Sequence, residues 1–459
     1  MAFTEFYIQT SGDDLNSGST TSNASSVTTT NGDWNQTTAN RFIAASGTPF
    51  SGVSVGDWAS IYTDGSTTTT MIGRVTAING SGASIDISTT ARSGSTTAGA
   101  TGRTCKIGGA WATLKTPMGF ITGSATNSSG NITRVNVKSG TTYNVTSSSA
   151  ITYNQSGVVW LQGYTSSPGD GGRPTIDGGS SGASYIVFTI GSSATHLIMK
   201  DLIFSNNGST GSARILSFTS GAVRIIVDRC TTTGGKGSGF HNAAAQTTFY
   251  ECEAYANNSS NTANDGGFSA SALTTYFRCL SYSNSGNVNN GFSVSGNTIF
   301  ADCIASTNGQ HGFFTTSSNT LFQFYNCTAH KNTGNGFYFN GIACISLENC
   351  LSCNNSTYGV NSAVTTGFGI IRNCAFYNNT SGATNNTGNF LVAGTITLTN
   401  NDMINPDNGN FAPLNATLIN AGRGNFINSS LSSTPLSYPV VGAVEPLSQV
   451  IVTPPRRII

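Results

Sequence analysis

The stretch "FADCIASTNGQHGFFTTSSNTLFQFYNCTAHKNTGNGFYFNG", residues 300–341, contains one pattern twice. In each copy a cysteine, Cys303 or Cys327, is followed five residues later by an asparagine and ten residues later by a phenylalanine that follows a glycine. The two copies are 24 residues apart. A pattern repeated at such an interval indicates a repeat protein, in which each repeat is one structural unit stacked on the next.

The repeat extends well beyond this stretch. Seven cysteines stand 22 to 27 residues apart: Cys230, Cys252, Cys279, Cys303, Cys327, Cys350 and Cys374. Five residues after each of the last six comes an asparagine: Asn257, Asn284, Asn308, Asn332, Asn355 and Asn379. A third row is apolar: Phe240, Phe268, Phe292, Phe313, Phe337, Val360 and Phe390. The three rows therefore recur together along more than 100 residues.

Short segments of apolar and β-branched residues precede the cysteines and are bounded by Gly, Asn and Ser, as strands are. A period of about 24 residues without a helical pattern predicts an all-β fold, a parallel β-helix whose turns stack about 4.8 Å apart. Equivalent residues then form files, and the Cys and Phe rows are predicted to be inward apolar files. The Asn row is predicted to mark a tight corner, because Asn tolerates left-handed backbone angles and can hydrogen-bond to neighbouring turns.

These rows resemble those of right-handed parallel β-helix proteins, the pectate lyase-like superfold, over roughly residues 130–400. The resemblance implies the fold, and the general preference of parallel crossovers implies the right-handed coil. Residues 1–130 lack the repeat, and turn signals at Asp64-Gly65 and Asn79-Gly80 interrupt alternating segments there. We therefore predict three parts: an N-terminal cap with a small antiparallel β insertion at about 50–90, a parallel β-helix over 131–400, and a C-terminal extension over 401–459.

The charge composition narrows the function classes. Only 8% of the residues are charged, and 20 Lys and Arg stand against 19 Asp and Glu, so no basic excess points to nucleic acid. No apolar run reaches the roughly 18 residues that a membrane span needs. No signal segment is recognised after Met1, so the ten cysteines are not read as a secreted disulfide framework. We expect no cofactor.

The stretch "GVSVGDWASIY" and the residues that follow it, within 52–88, look like proteins encoded by tailed phages. This resemblance implies a structural virion protein of a bacteriophage: a capsid decoration, fibre or tailspike-like spike that stands among other virion proteins. Adhesion to surface glycans is compatible with this role. Because virion β-helices in the family it resembles are commonly side-by-side trimers, the expected assembly is a homotrimer. The expected location is the virion. A cell-surface adhesin is the third reading, which the missing signal segment disfavours.

The alternative is an enzyme, a polysaccharide lyase or glycoside hydrolase such as a tailspike-type depolymerase. The residue before each cysteine gives an alternating column: Asp201, Arg229, Glu251, Arg278 and Asp302. Glu251 and Asp302 are two turns apart, about 9.6 Å, a separation that suits an inverting pair of carboxyl groups. The intervening arginine favours a structural column of alternating charge, so these two acids are weak catalytic candidates and we expect no catalytic site.

Two rows after the cysteines are predicted to face outward, because side chains alternate along a strand. They form a candidate carbohydrate-binding or subunit-contact surface: Tyr255, Tyr282, His330, Tyr377, Leu280, Ile304 and Leu351. Equally open is that a loop or the C-terminal tail covers them. No metal site is predicted. The four histidines lack the spacing of metal ligands and are expected at the surface. Cys350 and Cys353 should point to opposite sides of their strand, so they should not bind one metal ion together.

Overall fold

The structure is a computed structural model of the chain. It describes residues 3–22, 24–35, 40–66, 71–94, 100–115, 118, 132–146, 148, 150–210, 213–257, 266–286, 289–317, 320–341, 344–363, 368–398, 403–405 and 410–413. The protein is all-β, with a parallel β-solenoid of about ten turns, about 24 residues per turn, and a closed antiparallel sheet of six strands. The predicted fold class is therefore confirmed. Most of the predicted C-terminal extension, 401–459, lies outside the described residues.

The chain divides into two compact units, Met1–Asp177 with Phe188–Ile203, and Gly178–Val187 with Phe204–Ile459. Each turn contributes one strand to each of three parallel sheets, which we number in chain order. In each turn of the repeat, the sheet 1 strand comes before the cysteine in the sequence and the sheet 2 strand comes after it. The sheet 3 strand carries the residue of the phenylalanine row.

In unit 1 the closed sheet is an antiparallel barrel around a core that includes Trp34, Phe42 and Ile85. Its strands are Val27–Asn35, Arg41–Ile43, Trp58–Thr63, Met71–Asn79, Ser84–Gly94 and Ala100–Ile107, with the 3-10 helix Gly80–Gly82. Unit 1 also holds sheet 1 strands Phe3–Ile8, Ile132–Lys138, Val159–Tyr164 and Leu197–Lys200, sheet 2 strands Thr142–Asn144 and Thr175–Asp177, and sheet 3 strands Ile151–Tyr153 and Phe188–Ile190. Phe3–Ile8 pairs in parallel with Ile132–Lys138, the next strand of sheet 1. The barrel strands, which lie within residues 27–107, are therefore inserted in the sequence between two neighbouring strands of sheet 1.

Unit 2 contains the repeat. Its sheet 1 strands are Val223–Asp228, Ala245–Tyr250, Thr274–Phe277, Thr298–Ala301, Leu321–Tyr325, Cys344–Glu348, Phe368–Arg372 and Phe390–Ala393. Its sheet 2 strands are Thr231–Thr233, Glu253–Tyr255, Leu280–Tyr282, Ile304–Ser306, Thr328–His330, Leu351–Cys353, Ala375–Tyr377 and Ile396–Thr397, preceded by Ile203–Ser205 at the border of the units. Its sheet 3 strands are Leu216–Phe218, Phe240–Asn242, Gly266–Ala270, Asn290–Val294, Phe313–Thr315, Phe337–Phe339, Tyr358–Ser362 and Gly382–Asn385. Met403–Asn405 and Asn410–Pro413 form a separate antiparallel pair.

The asparagine row is a buried hydrogen-bonded ladder. The side-chain nitrogen of each residue donates to the side-chain oxygen of the next, over 3.1 Å from Asn257 to Asn284, 2.9 Å from Asn284 to Asn308 and 3.0 Å from Asn308 to Asn332. The same oxygens also accept from the backbone N–H of the preceding ladder residue, as Asn332 does from Asn308 at 3.1 Å. Bonding between neighbouring turns was predicted, and the structure confirms it.

The left-handed backbone angles lie one residue earlier than predicted. They occur just before the ladder asparagines, for example at Ala256 with φ 52° and Ser283 with φ 52°, and again just before the cysteines, at Glu251 with φ 51° and Arg278 with φ 50°. The ladder asparagines are instead fixed by their hydrogen bonds inside the turn. Each turn therefore has two corners, one just before the cysteine and one just before the ladder asparagine. The residue types at these corner positions vary, and what they share is a positive φ.

Two aromatic files fill the interior of unit 2. Phe313 stacks on Phe292 at 5.0 Å and on Phe337 at 4.9 Å between ring centroids, with interplanar angles of 3° and 6°. A second file on sheet 1 contains Phe300 and Phe324, stacked at 4.8 Å. Rings of the two files meet edge to face, as Phe300 and Phe313 do at 5.3 Å and 77°. The files therefore lock sheet 1 against sheet 3.

The seven cysteines of the repeat form an inward file of free thiols. Cys252 donates to the carbonyl oxygen of Val227, one turn away, at 3.2 Å. Burial raises the pKa of Cys252, Cys279, Cys327 and Cys374, because a thiolate would lose its hydration in this apolar interior. Cys353, predicted to point to the opposite side from Cys350, is buried too.

We expect most thiols to be protected from reagents in the native state. All ten cysteines are described, and Cys344 alone among them is exposed. Because only a thiolate reacts, and burial blocks both ionisation and access, at most one thiol per chain should react with Ellman's reagent before unfolding. Ten should react in denaturant, and Cys344→Ser should remove the native reaction. Rapid labelling of several thiols in the native state would contradict the inward file.

Histidine burial gives an expected pH dependence of stability. Contrary to the surface prediction, His311 is buried; it lies 4.4 Å from Tyr338 between ring centroids, and its Nδ1 accepts from the backbone N–H of Asn335. Burial lowers its pKa to about 4. The folded pKa is below the unfolded value, so the stabilisation is complete above about pH 6.5 and is lost as the pH falls toward 4.

At pH 4.5 we expect this one group to cost about 2.5 kcal/mol of unfolding free energy relative to pH 7. Urea unfolding of wild type and His311→Gln at both pH values measures it, because all other titrating groups are common to both proteins. If the free energy of unfolding falls by the same amount between pH 7 and pH 4.5 in the two proteins, His311 does not contribute to the pH dependence of stability.

Candidate functional site

The two acids predicted as weak catalytic candidates have different partners. Glu251 Oε1 lies 3.0 Å from Arg278 Nη1, and the arginine side chain is only 8% exposed. Asp302, which is fully buried, accepts from the side-chain nitrogen of Asn326 at 3.1 Å. Arg229 Nη1 lies 4.0 Å from Asp228 Oδ2. An ion pair between adjacent turns is thus present at Glu251 and Arg278, while Asp302 bonds to Asn326 of the next turn.

Beside this column, on the outer side of sheet 2, two tyrosines and a carboxylate form a cluster. Tyr255 stacks on Tyr282 with 5.0 Å between ring centroids and an angle of 11°. The Tyr282 hydroxyl donates to Glu253 Oε1 at 2.8 Å, and the Thr231 hydroxyl donates to Glu253 Oε2 at 3.4 Å. Burial and the Glu253 carboxylate raise the pKa of Tyr282, so its hydroxyl stays a donor.

A second aromatic pair lies on the sheet 1 side of the same corner. The rings of Tyr250 and Phe277 stack with 5.6 Å between centroids. The guanidinium carbon of Arg278 is 5.6 Å from the Tyr250 centroid and 5.9 Å from that of Phe277, within reach of a cation–π contact. Together these side chains form what we call the corner patch: Tyr250, Glu251, Glu253, Tyr255, Phe277, Arg278 and Tyr282.

The corner patch combines half-buried aromatic rings with two carboxylates and a guanidinium. Aromatic faces pack against the apolar face of a sugar ring, and carboxylates accept hydrogen bonds from its hydroxyls. Sequence reasoning missed Tyr250, Phe277 and Glu253. The period-2 alternation could have found them, because each lies an even number of residues from an outward neighbour.

The remaining predicted surface residues are less accessible than expected. Ile304 is 8% exposed, His330 2% and Leu351 1%, so they leave little surface for a partner to contact. The His330 ring nitrogen Nδ1 lies 3.2 Å from the Ser306 hydroxyl. Leu280 and Tyr377 are half-buried. The predicted outward stripe is therefore open mainly at Tyr255, Leu280, Tyr282 and Tyr377.

Within the described residues, no group of three or more His, Cys, Asp or Glu side chains could hold a metal ion. In the same part of the chain, no helix is long and apolar enough to cross a membrane.

Solved structures share this fold. A rhamnogalacturonan lyase superposes with a TM-score of 0.53 at 17% identity, covering 64% of this chain and 86% of that one. A pectate lyase gives 0.45 at 15% identity, with 73% and 92% covered, and the Dettilon tailspike protein gives 0.43 at 13%, with 59% and 56% covered. No protein-family model and no curated protein matches the chain. The resemblance to pectate lyase-like parallel β-helix proteins is thereby confirmed at the level of fold.

Proposed function

We propose that this chain is a structural protein of a bacteriophage virion, a fibre, spike or capsid decoration that is a homotrimer among other virion proteins. The observation that carries the proposal is the asparagine ladder, which bonds six successive turns from Asn257 to Asn379 without interruption. Such a ladder, with the aromatic files beside it, stiffens six successive turns of unit 2. The likeness of residues 52–88 to tailed-phage proteins directs the proposal to a virion. The division into 1–130, 131–400 and 401–459 belongs to the same proposal.

Proteomics of purified particles tests the location. The chain should be present in a fixed number of copies per particle, and its absence would refute the virion role. Light scattering tests the assembly, because a homotrimer has three times the 47.4 kDa of one chain. A mass of 47.4 kDa at micromolar concentration would contradict the trimer.

Adhesion to surface glycans is the second element of the proposal, and the corner patch is where we place it. The half-buried rings of Tyr255 and Tyr282 would pack against the apolar face of a sugar ring, while Glu253 would accept from its hydroxyls. A glycan array should therefore show binding by wild type that Tyr282→Ala weakens at least tenfold. Tyr377→Ala is the matched control, because Tyr377 is also half-buried on sheet 2 but lies outside the corner patch. If Tyr282→Ala and Tyr377→Ala bind the glycan equally well, the glycan does not bind at the corner patch.

The alternative function is that of a polysaccharide lyase or glycoside hydrolase. It is favoured by the spacing of Glu251 and Asp302, two turns apart in one column at about 9.6 Å. It is disfavoured by Arg278, which occupies the turn between them and already binds Glu251. Cleavage of host polysaccharide that Glu251→Gln and Asp302→Asn both abolish, with unchanged circular dichroism, would establish the enzyme over the structural role.

A further inference from the structure

The outer side of sheet 3 in unit 2 carries a histidine with an unpaired ring nitrogen. His241 stands in register with Ser217 of the turn before and Ser269 of the turn after, and it points outward because its strand neighbours Phe240 and Asn242 are buried. The ring is half-buried, and among the described residues its Nδ1 has no hydrogen-bond partner. A neutral imidazole carries one proton, which we place on Nε2, because Nδ1 is enclosed without an acceptor. Nε2–H is then a donor directed away from the sheet.

Two cationic side chains stand at the neighbouring corner, between sheet 2 and sheet 3. Arg214 lies two residues before the sheet 3 strand Leu216–Phe218. The backbone beside it bonds to the next turn, where the N–H of Ile215 donates to the carbonyl oxygen of Ser238 at 3.1 Å. Lys236 lies two residues before Ser238, so the two cations occupy the same corner of adjacent turns. Both side chains are half-buried.

The charge of Arg214 acts on His241. Burial and, after it, the Arg214 charge lower the pKa of His241 to about 4, so the ring is neutral at pH 7. In the described part of the chain, no carboxylate forms an ion pair with Arg214 or Lys236. Two positive charges and one neutral N–H donor therefore share this corner. We call these three residues the basic cluster: Arg214, Lys236 and His241.

This set of donors suits a phosphate group. A guanidinium binds two phosphate oxygens at once, and an ammonium binds phosphate as a point charge. A phosphate monoester carries about −1.5 to −2 charges at pH 7, which matches two cations, whereas a carboxylate carries one charge. The hydroxyls of Ser217 and Ser269 flank the ring of His241 and add neutral donors on either side.

We propose that the basic cluster binds a phosphate group, with Arg214 and Lys236 balancing its charge and His241 Nε2–H donating to one of its oxygens. The inference is independent of the virion role and of the corner patch, which lies on sheets 1 and 2. Inorganic phosphate and a phosphate ester on a larger molecule present the same group, so the experiment includes both.

Equilibrium dialysis with radiolabelled inorganic phosphate at pH 7, in a buffer without other oxyanions, is the direct test. Wild type should bind one phosphate per chain in a saturable manner, and Arg214→Gln should weaken binding about tenfold or more, because hydrogen bonds between charged groups are the strong ones. Arg372→Gln is the matched control. Arg372 is also a half-buried arginine of unit 2 without an ion pair among the described residues, but it lies on sheet 1, so this variant should keep the wild-type affinity.

Two variants of His241 separate its N–H from its bulk. His241→Leu should weaken phosphate binding several-fold, whereas His241→Gln, whose amide supplies an N–H, should retain most of the affinity. Competition by glucose 6-phosphate identifies an ester as the ligand, and its failure to compete identifies the free ion. Circular dichroism establishes that each variant is folded. If wild type shows no saturable binding, or if folded Arg214→Gln binds phosphate as tightly as wild type, the basic cluster is not a phosphate site.

Discussion

We expect Phe313→Ala to lower the free energy of unfolding by about 4 kcal/mol, within the range found for large-to-small changes at fully buried aromatic positions. Phe313 is fully buried, stacks on rings in the turns before and after it, and meets Phe300 and Phe324 edge to face at 5.3 and 5.6 Å. Alanine removes all four ring contacts and leaves a cavity between sheet 1 and sheet 3. Urea unfolding followed by far-ultraviolet circular dichroism measures the change.

Two comparisons make this result specific. Phe313→Leu keeps most of the volume and should cost about 1.5 kcal/mol. Ile226→Ala removes an exposed apolar side chain from the same unit and should cost less than about 1 kcal/mol. A loss below about 1 kcal/mol for Phe313→Ala would mean that the rings do not form a packed file.

Asn308→Ala should cost about 3 to 4 kcal/mol, because it breaks the ladder at a buried position. The Asn308 side-chain oxygen accepts from the side chain of Asn284 at 2.9 Å and from its backbone N–H at 3.4 Å. Its nitrogen donates to Asn332 at 3.0 Å and to the carbonyl oxygen of Ser281 at 3.2 Å. Alanine leaves these buried groups without the partners they have now. Urea unfolding at pH 7 measures the loss.

The charge-changing variant Asn308→Asp separates hydrogen bonding from packing. A carboxylate cannot donate to the Ser281 carbonyl oxygen or to Asn332. Relative to wild type at the same pH, this variant should therefore lose more stability at pH 7 than at pH 5, where protonation restores one donor. Asn385→Ala is the control, because that partly buried residue makes a single 3.1 Å bond to Asn361 and should cost about 0.5 kcal/mol. Similar losses for Asn308→Ala and Asn385→Ala would contradict the role of the buried ladder.

The fold was predictable because each turn repeats the same small set of requirements. An inward thiol, an inward ring and a buried amide recur at one interval, so the spacing of Cys303, Asn308 and Phe313 alone indicates the turn. The corner angles were misplaced for a physical reason. Asn is a residue that tolerates a positive φ, but here its amide is used inside the ladder, and the preceding residue, such as Thr307 with φ 53°, makes the turn.

The site was less predictable, because exposure depends on what surrounds a position as well as on strand alternation. Alternation places Ile304 and Leu351 outward, but they are almost fully buried. It places Leu321 and Phe368 outward too, and these are the exposed ones. The pairing of Glu253 with Tyr282 likewise needs the register between strands, which spacing in the sequence gives only to within a residue or two.

The in-register files make the turn a unit of evolutionary change in length. Gain or loss of a whole turn, such as the 24 residues from Cys303 to Cys327, would leave every amide, ring and thiol opposite an equivalent group. A change of a few residues within a strand would instead put side chains of the wrong kind opposite one another. Genetic duplication of single turns is therefore a route by which such a protein can be lengthened while its interior stays the same.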